Sequence, residues 1–297
     1  MTKKLKSAKR VHQYSTAFQC PICNGPMEVV GWVSFVCSEN HTFDFAKQGY
    51  INMLTHPVTS QYSKELFEAR QRIITNSSLF TALHDTIAQV INQQTQTPTV
   101  PLMIADLGCG EGSHLQAILD NSIHSEIAGV GIDLSKEGIA MAAKSYDTST
   151  WLVADLAKSP LAYRTFSVIL NILSPANYRE FKRIITPDGL VIKVVPGPNY
   201  LRELREIMTE KTEHRNHETV HLFKQHFDLC EVLRVQDTAV LQQESLYDLV
   251  RMTPLTWAAN PAQIEQFCKQ STAAITIDLE ILIGINPSSK NLKGGNI

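Results

Sequence analysis

The chain has 297 residues, 43% hydrophobic and 19% charged, with a formal net charge of −2. That balance excludes a disordered, collagen-like or low-complexity protein and leaves length for a substantial core. The longest apolar stretch, around 273–285, is interrupted by Asp278 and Glu280. It falls short of the roughly 20 apolar residues a membrane helix needs, so no membrane span is expected. Bulk charge attracts no nucleic acid, which would have to meet a local basic patch.

Residues 1–17 hold Lys3, Lys4, Lys6, Lys9 and Arg10 with no apolar run behind them. They fail as a secretory leader and read as a flexible basic arm on a cytoplasmic protein. Residues 18–55 form a compact segment of short β-like runs, 28–30 and 32–36, too small for a core of its own. It carries Cys20-Pro-Ile-Cys23 and then Cys37 and His41, with 13 residues between the two pairs. Two thiolates on one knuckle and a thiolate with an imidazole on the next make a closed tetrahedral set for a structural Zn²⁺. Cys109, Cys230 and Cys268 are scattered and read as small core residues.

Residues 56–100 read as a helical linker or lid, with helices beginning near Ser63 and Ser78 as N-caps and a Thr/Gln/Pro break at 94–101. From 102 onward strands and helices alternate: strand 102–107, helix 113–121, strand 128–133, helix 135–145, strand 151–154, strand 166–172, helix 177–186 and strand 189–195. This pattern predicts βαβ units on a parallel sheet. Residues 199–227 read as helical, 230–239 as a strand, 243–251 and 261–269 as helices, and 272–285 as a last strand region. Residues 287–297 read as a flexible tail.

The first strand runs into Asp106-Leu-Gly108-Cys-Gly110-Glu111-Gly112. Glycines there permit a tight turn and a close backbone approach to a ligand at a helix N-terminus. The third glycine comes one position too early for a dinucleotide fingerprint. The second strand ends on Asp133, 27 residues after Asp106 and suited to ribose hydroxyls; Asp155 follows the third strand, where an adenine contact belongs, and reads otherwise as a helix cap. The fourth strand exits through Asn171-Ile-Leu-Ser174-Pro175, lacking both an Asn/Asp-Pro-Pro-Tyr/Phe loop for exocyclic amines and a cysteine for attack on a pyrimidine ring. Direct in-line transfer by positioning is left. His217-Glu218-Thr-Val-His221 matches the H-E-x-x-H pattern of zinc peptidases, but with no third ligand specified it reads as a surface or interdomain helix.

The glycine loop resembles motif I of the S-adenosylmethionine methyltransferases. In order along the chain, Cys20-Pro-Ile-Cys23, Cys37, His41, the run Phe43–Leu54, Glu68-Ala-Arg70, Asp106–Gly112, Val195-Pro-Gly-Pro198 and Met252-Thr-Pro254 resemble the RlmA-type enzymes, which methylate N1 of a guanine in large-subunit (23S) ribosomal RNA. The resemblance implies an α/β fold: a Rossmann-like class I methyltransferase sheet with helices on both faces at 101–286, preceded by a small zinc ribbon. It assigns zinc to Cys20, Cys23, Cys37 and His41, and S-adenosylmethionine to Gly108, Gly110, Glu111 and Gly112, with Asp133 on the ribose. Asp106 and Asp155 complete the set of strand-end acids. Phe80 and Tyr200 look like further cofactor contacts, the latter where the family has histidine.

It also implies a homodimer shaping an RNA cleft, with a guanine extruded from the stack. Lys47, Tyr50 and Asn52 beside the ribbon offer a charge, a stacking ring and an amide to RNA, although Tyr50 and Leu54 read equally as residues docking the ribbon. Guanine N1 carries a proton at neutral pH, so transfer needs a base or an anion-stabilising site. Asp44 is a carboxylate within reach of that reading, but no catalytic base is assigned. A non-catalytic RNA-binding module and a zinc peptidase are the rival readings.

Overall fold

The computed structural model describes residues 1–58, 62–95, 101–207, 216–257 and 259–286. The expected tail at 287–297 lies outside the described residues, as does much of the predicted break at 94–101.

The chain opens with helix α1 (Lys3–Gln13), capped by Thr2, whose hydroxyl accepts the Leu5 N–H at 3.3 Å. This corrects the expected flexible arm. Ser7, Ala8 and Val11 form a buried stripe, Lys6 pairs with Asp147, and Arg10 donates to the carbonyls of Asp147 and Ser149. The basic residues thus hold the helix on the main body.

A three-stranded antiparallel ribbon follows, β1 (Met27–Val30), β2 (Ser34–Cys37) and β3 (Thr42–Asp44), in the order β1-β2-β3. The short strand β4 (Ile51–Asn52) leaves the ribbon and pairs in parallel with β7 (Thr150–Val153), becoming the edge of the large sheet. Two helices come next, α2 (Lys64–Asn76) and α3 (Thr81–Gln94). Ser63 caps α2 as expected, accepting from Leu66 N–H. Ser78 does not cap α3, which starts three residues later with no side-chain cap.

The remaining strands are β5 (Leu102–Leu107), β6 (Ile127–Asp133), β8 (Phe166–Ile172), β9 (Ile185–Pro196), β10 (Asp228–Gln242) and β11 (Thr272–Ile285). Between them run α4 (Ser113–Asp120), α5 (Lys136–Ser145), α6 (Tyr178–Ile184), α7 (Arg202–Glu206), α8 (His217–His226), α9 (Gln243–Arg251) and α10 (Pro261–Cys268). The sheet order is β10-β11-β9-β8-β5-β6-β7-β4. Pairing is parallel from β4 to β9 and antiparallel at β9–β11 and β11–β10. The parallel expectation therefore holds for the center of the sheet, and a long hairpin-like pair completes it. The region expected as continuous helix at 199–227 is two helices, α7 and α8, with residues 208–215 between them outside the described set.

Alternation along the strands splits the core into two layers. Ile104, Val168, Leu170 and Trp151 face the layer that holds α3, α4 and α9. Met103, Ala105, Ile132 and Ile169 face the other, which also contains Phe35, Phe43 and Phe45 of the ribbon and Phe181 of α6. The ribbon thus shares one apolar core with the sheet, which explains how so small a segment holds its position.

Candidate metal centre and cofactor cavity

Cys20 and Cys23 sit in a turn closed by Asn24 N–H to Cys20 O at 2.8 Å, and Cys37 and His41 in a second closed by Asn40 N–H to Cys37 O at 2.9 Å. The turns face each other. Cys37 Sγ lies 3.3 Å from His41 Nδ1, Cys20 Sγ 3.5 Å from the same nitrogen, and Cys23 Sγ 3.6 Å from Cys37 Sγ. All four ligand atoms fall within 4.8 Å of one another. A tetrahedron with Zn–S near 2.3 Å and Zn–N near 2.0 Å has edges of about 3.5–3.8 Å, and the three short separations, 3.3 to 3.6 Å, match that scale. Burial works to raise the Cys37 thiol, but hydrogen bonds from the His41 and Glu39 backbone and from the neighbouring thiols outweigh it and lower it to about 7. The thiolate that zinc needs is favoured there. His217 and His221 join no such cluster among the described residues, and Glu218 beside them is exposed.

At the carboxyl ends of β5 and β8, where the strand order reverses, a cavity of about 630 Å³ opens. A crevice outside the strand ends at a topological switch point is where open α/β sheets bind ligands. Gly108 and Gly110 line it with φ of +87° and +58°, left-handed values that favour glycine. A Cβ at Gly108 would stand 1.9 Å from Ser174 Oγ. Asp133 also lines the cavity; its Oδ2 accepts the Gly110 N–H at 2.9 Å and its Oδ1 the Ser135 N–H at 2.8 Å. The carboxylate therefore ties the glycine loop to the start of α5 and keeps further lone pairs for a ligand.

The electrostatics are acidic. Asp106 and Glu111 are buried beneath the loop, and among the described residues Asp106 Oδ1 and both Glu111 oxygens have no hydrogen-bond partner. Burial raises the Asp106 carboxyl to about 7 against the pull of Arg70, and raises Glu111 and Asp133 as well. Arg70, reaching over from α2, is the cation among them, with Nε 3.5 Å from Glu111 Oε2. Three carboxyl groups around one guanidinium suit a ligand carrying ammonium and sulfonium charge, which would favour their ionised forms. S-Adenosylmethionine carries that charge, and the lining residues Gly108, Gly110 and Asp133 fit it.

Phe80 and Tyr200 both line the cavity. Phe80 packs edge-on against His114 at 5.0 Å between centroids. His114 and His84 share a 2.8 Å hydrogen bond, and burial keeps both neutral, lowering His84 to about 4. The structure thus brings Phe80, Gly108, Gly110, Asp133 and Tyr200 together around one space, with Asp106, Glu111 and Gly112 supporting it from beneath. Gly112 lies against Trp151, whose Cη2 would meet an added Cβ at 2.4 Å. Asp155 is not brought to the cavity: its Oδ1 accepts from Ala157 N–H at 2.8 Å and caps a short 3₁₀ turn. Local capping has taken that acid.

Asp44 is exposed on the ribbon and accepts from Ser34 Oγ at 2.6 Å, away from the cavity lining. Tyr50 is 8% exposed and packed in the core, so docking is the role the structure shows for its ring. Lys47 and Asn52 are exposed. Among the charged cavity residues, Arg70 and Lys193 carry no role that the sequence assigned. Arg70 stood there only within Glu68-Ala-Arg70; Lys193 was betrayed only as a lone charge in the apolar run 190–195.

A family described as "RlmA, N-terminal", a zinc ribbon, matches residues 18–64, and one described as a methyltransferase domain matches residues 104–189. The 23S rRNA (guanine(748)-N(1))-methyltransferase of Streptomyces fradiae is 26% identical over 249 residues, covering 83% of this chain and 88% of that protein. YxjB of Bacillus subtilis (strain 168), a proposed 23S rRNA (guanine-N(1)-)-methyltransferase, is 40% identical over 282 residues, covering 93% of this chain and 99% of that protein. Likeness of that extent spans the ribbon, helices α2 and α3 and the sheet, so the chain belongs to the family of 23S rRNA (guanine-N1-)-methyltransferases, S-adenosylmethionine-dependent enzymes with a zinc ribbon.

Proposed function

We propose that the protein transfers a methyl group to N1 of a guanine in a hairpin of large-subunit rRNA. The observation that carries this reading is the end-to-end similarity to relatives named for that reaction, ribbon included. The cofactor supplies an electrophilic methyl on a sulfonium. Gly108 and Gly110 let the backbone approach it, Asp133 accepts from the ribose hydroxyls, and Phe80 and Tyr200 provide apolar walls. Asp106 and Glu111 set the negative potential under the loop, and Arg70 is placed for the methionine carboxylate.

The wall from Leu173 to Ala176, with Tyr178 and Met252 to Leu255, is left for the acceptor base. Fixed geometry there supplies most of the rate. Zinc holds the ribbon, and Lys47, Asn52 and the exposed Trp32 form its RNA-facing candidates. A homodimer shaping the RNA cleft and a cytoplasmic site of action belong to the same reading. A non-catalytic binding module is disfavoured by the complete glycine loop, and a peptidase by the exposed, ligand-poor His217–His221 segment.

The test is methyl transfer to 23S rRNA fragments that keep or open individual hairpins, with light scattering of the protein alone and with RNA. Transfer confined to fragments retaining one closed hairpin supports the reading. Transfer to opened, single-stranded fragments at the same rate overturns the hairpin requirement.

A further inference from the structure

Strand β9 reads Leu190-Val-Ile-Lys193-Val-Val195, one charge in an otherwise apolar run, and Lys193 is 5% exposed. Its Nζ donates to Asn171 Oδ1 at 2.6 Å and to the Ser174 carbonyl at 3.0 Å. Asn171 in turn donates through Nδ2 to Leu107 O and Pro175 O, at 2.8 and 3.1 Å. This network shapes the exit of β8, the acceptor wall of the cavity. An ammonium has three hydrogens and two are used; Lys193 itself lines the cavity beside Ser174 and Pro175.

Among the described residues no carboxylate pairs with Lys193, and burial lowers it to about 8, so it is still mostly protonated at neutral pH. A buried cation without a counter-ion is costly. A bridge between Asn171 and Ser174 needs only a neutral donor. The charge is accounted for when its negative partner arrives with the substrate.

We propose that the Lys193 ammonium pairs with O6 of the acceptor guanine and stabilises the anion through which N1 becomes nucleophilic. The assignment rests on the guanine-N1 reading above. The N1 proton leaves to solvent water, and the negative charge spreads over N1 and O6. The N1 lone pair then forms the bond to the methyl carbon as the bond from that carbon to sulfur breaks, and its electron pair stays on sulfur. Guanine ends neutral and Lys193 keeps its proton throughout.

The experiment uses the hairpin fragment bearing the methylated guanine, and the same fragment with 2-aminopurine, which lacks O6, at that position. Binding is measured without S-adenosylmethionine to the wild type, Lys193→Met and Lys193→Arg. A hydrogen bond from a charged donor corresponds to about a 10- to 100-fold preference. The wild type should prefer guanine RNA by that factor, Lys193→Met should bind both RNAs alike, and Lys193→Arg should keep most of the preference. With the cofactor present, single-turnover transfer by Lys193→Met should fall by about 100- to 1,000-fold, while its S-adenosylmethionine affinity stays within about twofold and so reports an intact fold.

Should Lys193→Met lose cofactor affinity, Lys193→Gln, which keeps an N–H donor without charge, takes its place and should keep at most about a tenfold preference, with the same loss of transfer. If the wild type makes 1-methylguanosine while the uncharged variant still prefers guanine RNA as strongly, or transfers at the wild-type rate, the Lys193 assignment is overturned and the guanine reading stands. If the wild type makes no 1-methylguanosine, the guanine reading itself falls and the assignment with it.

Discussion

Gly108→Ala is the perturbation whose cost follows most directly from the geometry of the cofactor loop. At φ +87° an L-residue is strained by about 1–2 kcal/mol. Its Cβ would also stand 1.9 Å from Ser174 Oγ and 2.7 Å from Ser174 Cβ, an overlap that rotating the hydroxyl does not remove. Overpacking of that kind costs about 1–3 kcal/mol, so the variant should lose about 2–5 kcal/mol. Ser174→Gly deletes both clashing atoms and leaves only the φ strain. A double-mutant cycle should therefore show a favourable coupling of about 1–3 kcal/mol between positions 108 and 174. Urea unfolding of the zinc-loaded protein reads this as a midpoint lowered by about 1 M or more in Gly108→Ala, partly restored in the double variant. The reasoning is refuted if Gly108→Ala unfolds at the wild-type midpoint, or if Ser174→Gly restores nothing.

Asp106 predicts a pH dependence. Its folded pKa of about 7 lies above the ordinary 3.8, so the folded state binds the extra proton between those values. Stability from this group is therefore lost as pH rises from about 4 to 7, by at most about 4 kcal/mol at 1.36 kcal/mol per pH unit. Asp106→Asn, unfolded without cofactor across that range, should gain on the wild type as pH rises; a constant difference would sink the assignment. Cys37→Ser should lose stoichiometric zinc and transfer to RNA while the glycine loop still binds S-adenosylmethionine, measured by metal analysis and calorimetry; unchanged RNA methylation in the zinc-free variant contradicts a structural role for the metal. Glu218→Gln should leave methyl transfer within about twofold of wild type, since the residue is exposed and no metal cluster among the described residues includes it; a large loss would reopen the H-E-x-x-H segment.

What could be read from the chain before its structure was what local spacing determines. The four zinc ligands lie on two short turns, so their convergence needs only the ribbon to close. Gly108, Gly110 and Asp133 sit at the ends of adjacent strands, and a βαβ unit has few ways to arrange them. Residues whose roles depend on distant segments were harder. Arg70 matters because α2 crosses the glycine loop, a packing no spacing encodes, and Lys193 because β9 lies beside β8. Helix α1 was hidden by its lysines, since the stripe of Ser7, Ala8 and Val11 is short and its surface comes from elsewhere. Asp155 shows the opposite failure: the strand-end pattern put it at the adenine, while the backbone of Ala157 had a nearer claim.

The most direct measurement is transfer of a labelled methyl group from S-adenosylmethionine to unmethylated 23S rRNA, followed by digestion and identification of the labelled nucleoside by mass spectrometry. The account predicts that the label appears as 1-methylguanosine at a single position. Label in any other nucleoside, or none in RNA from a protein that binds the cofactor, would contradict it.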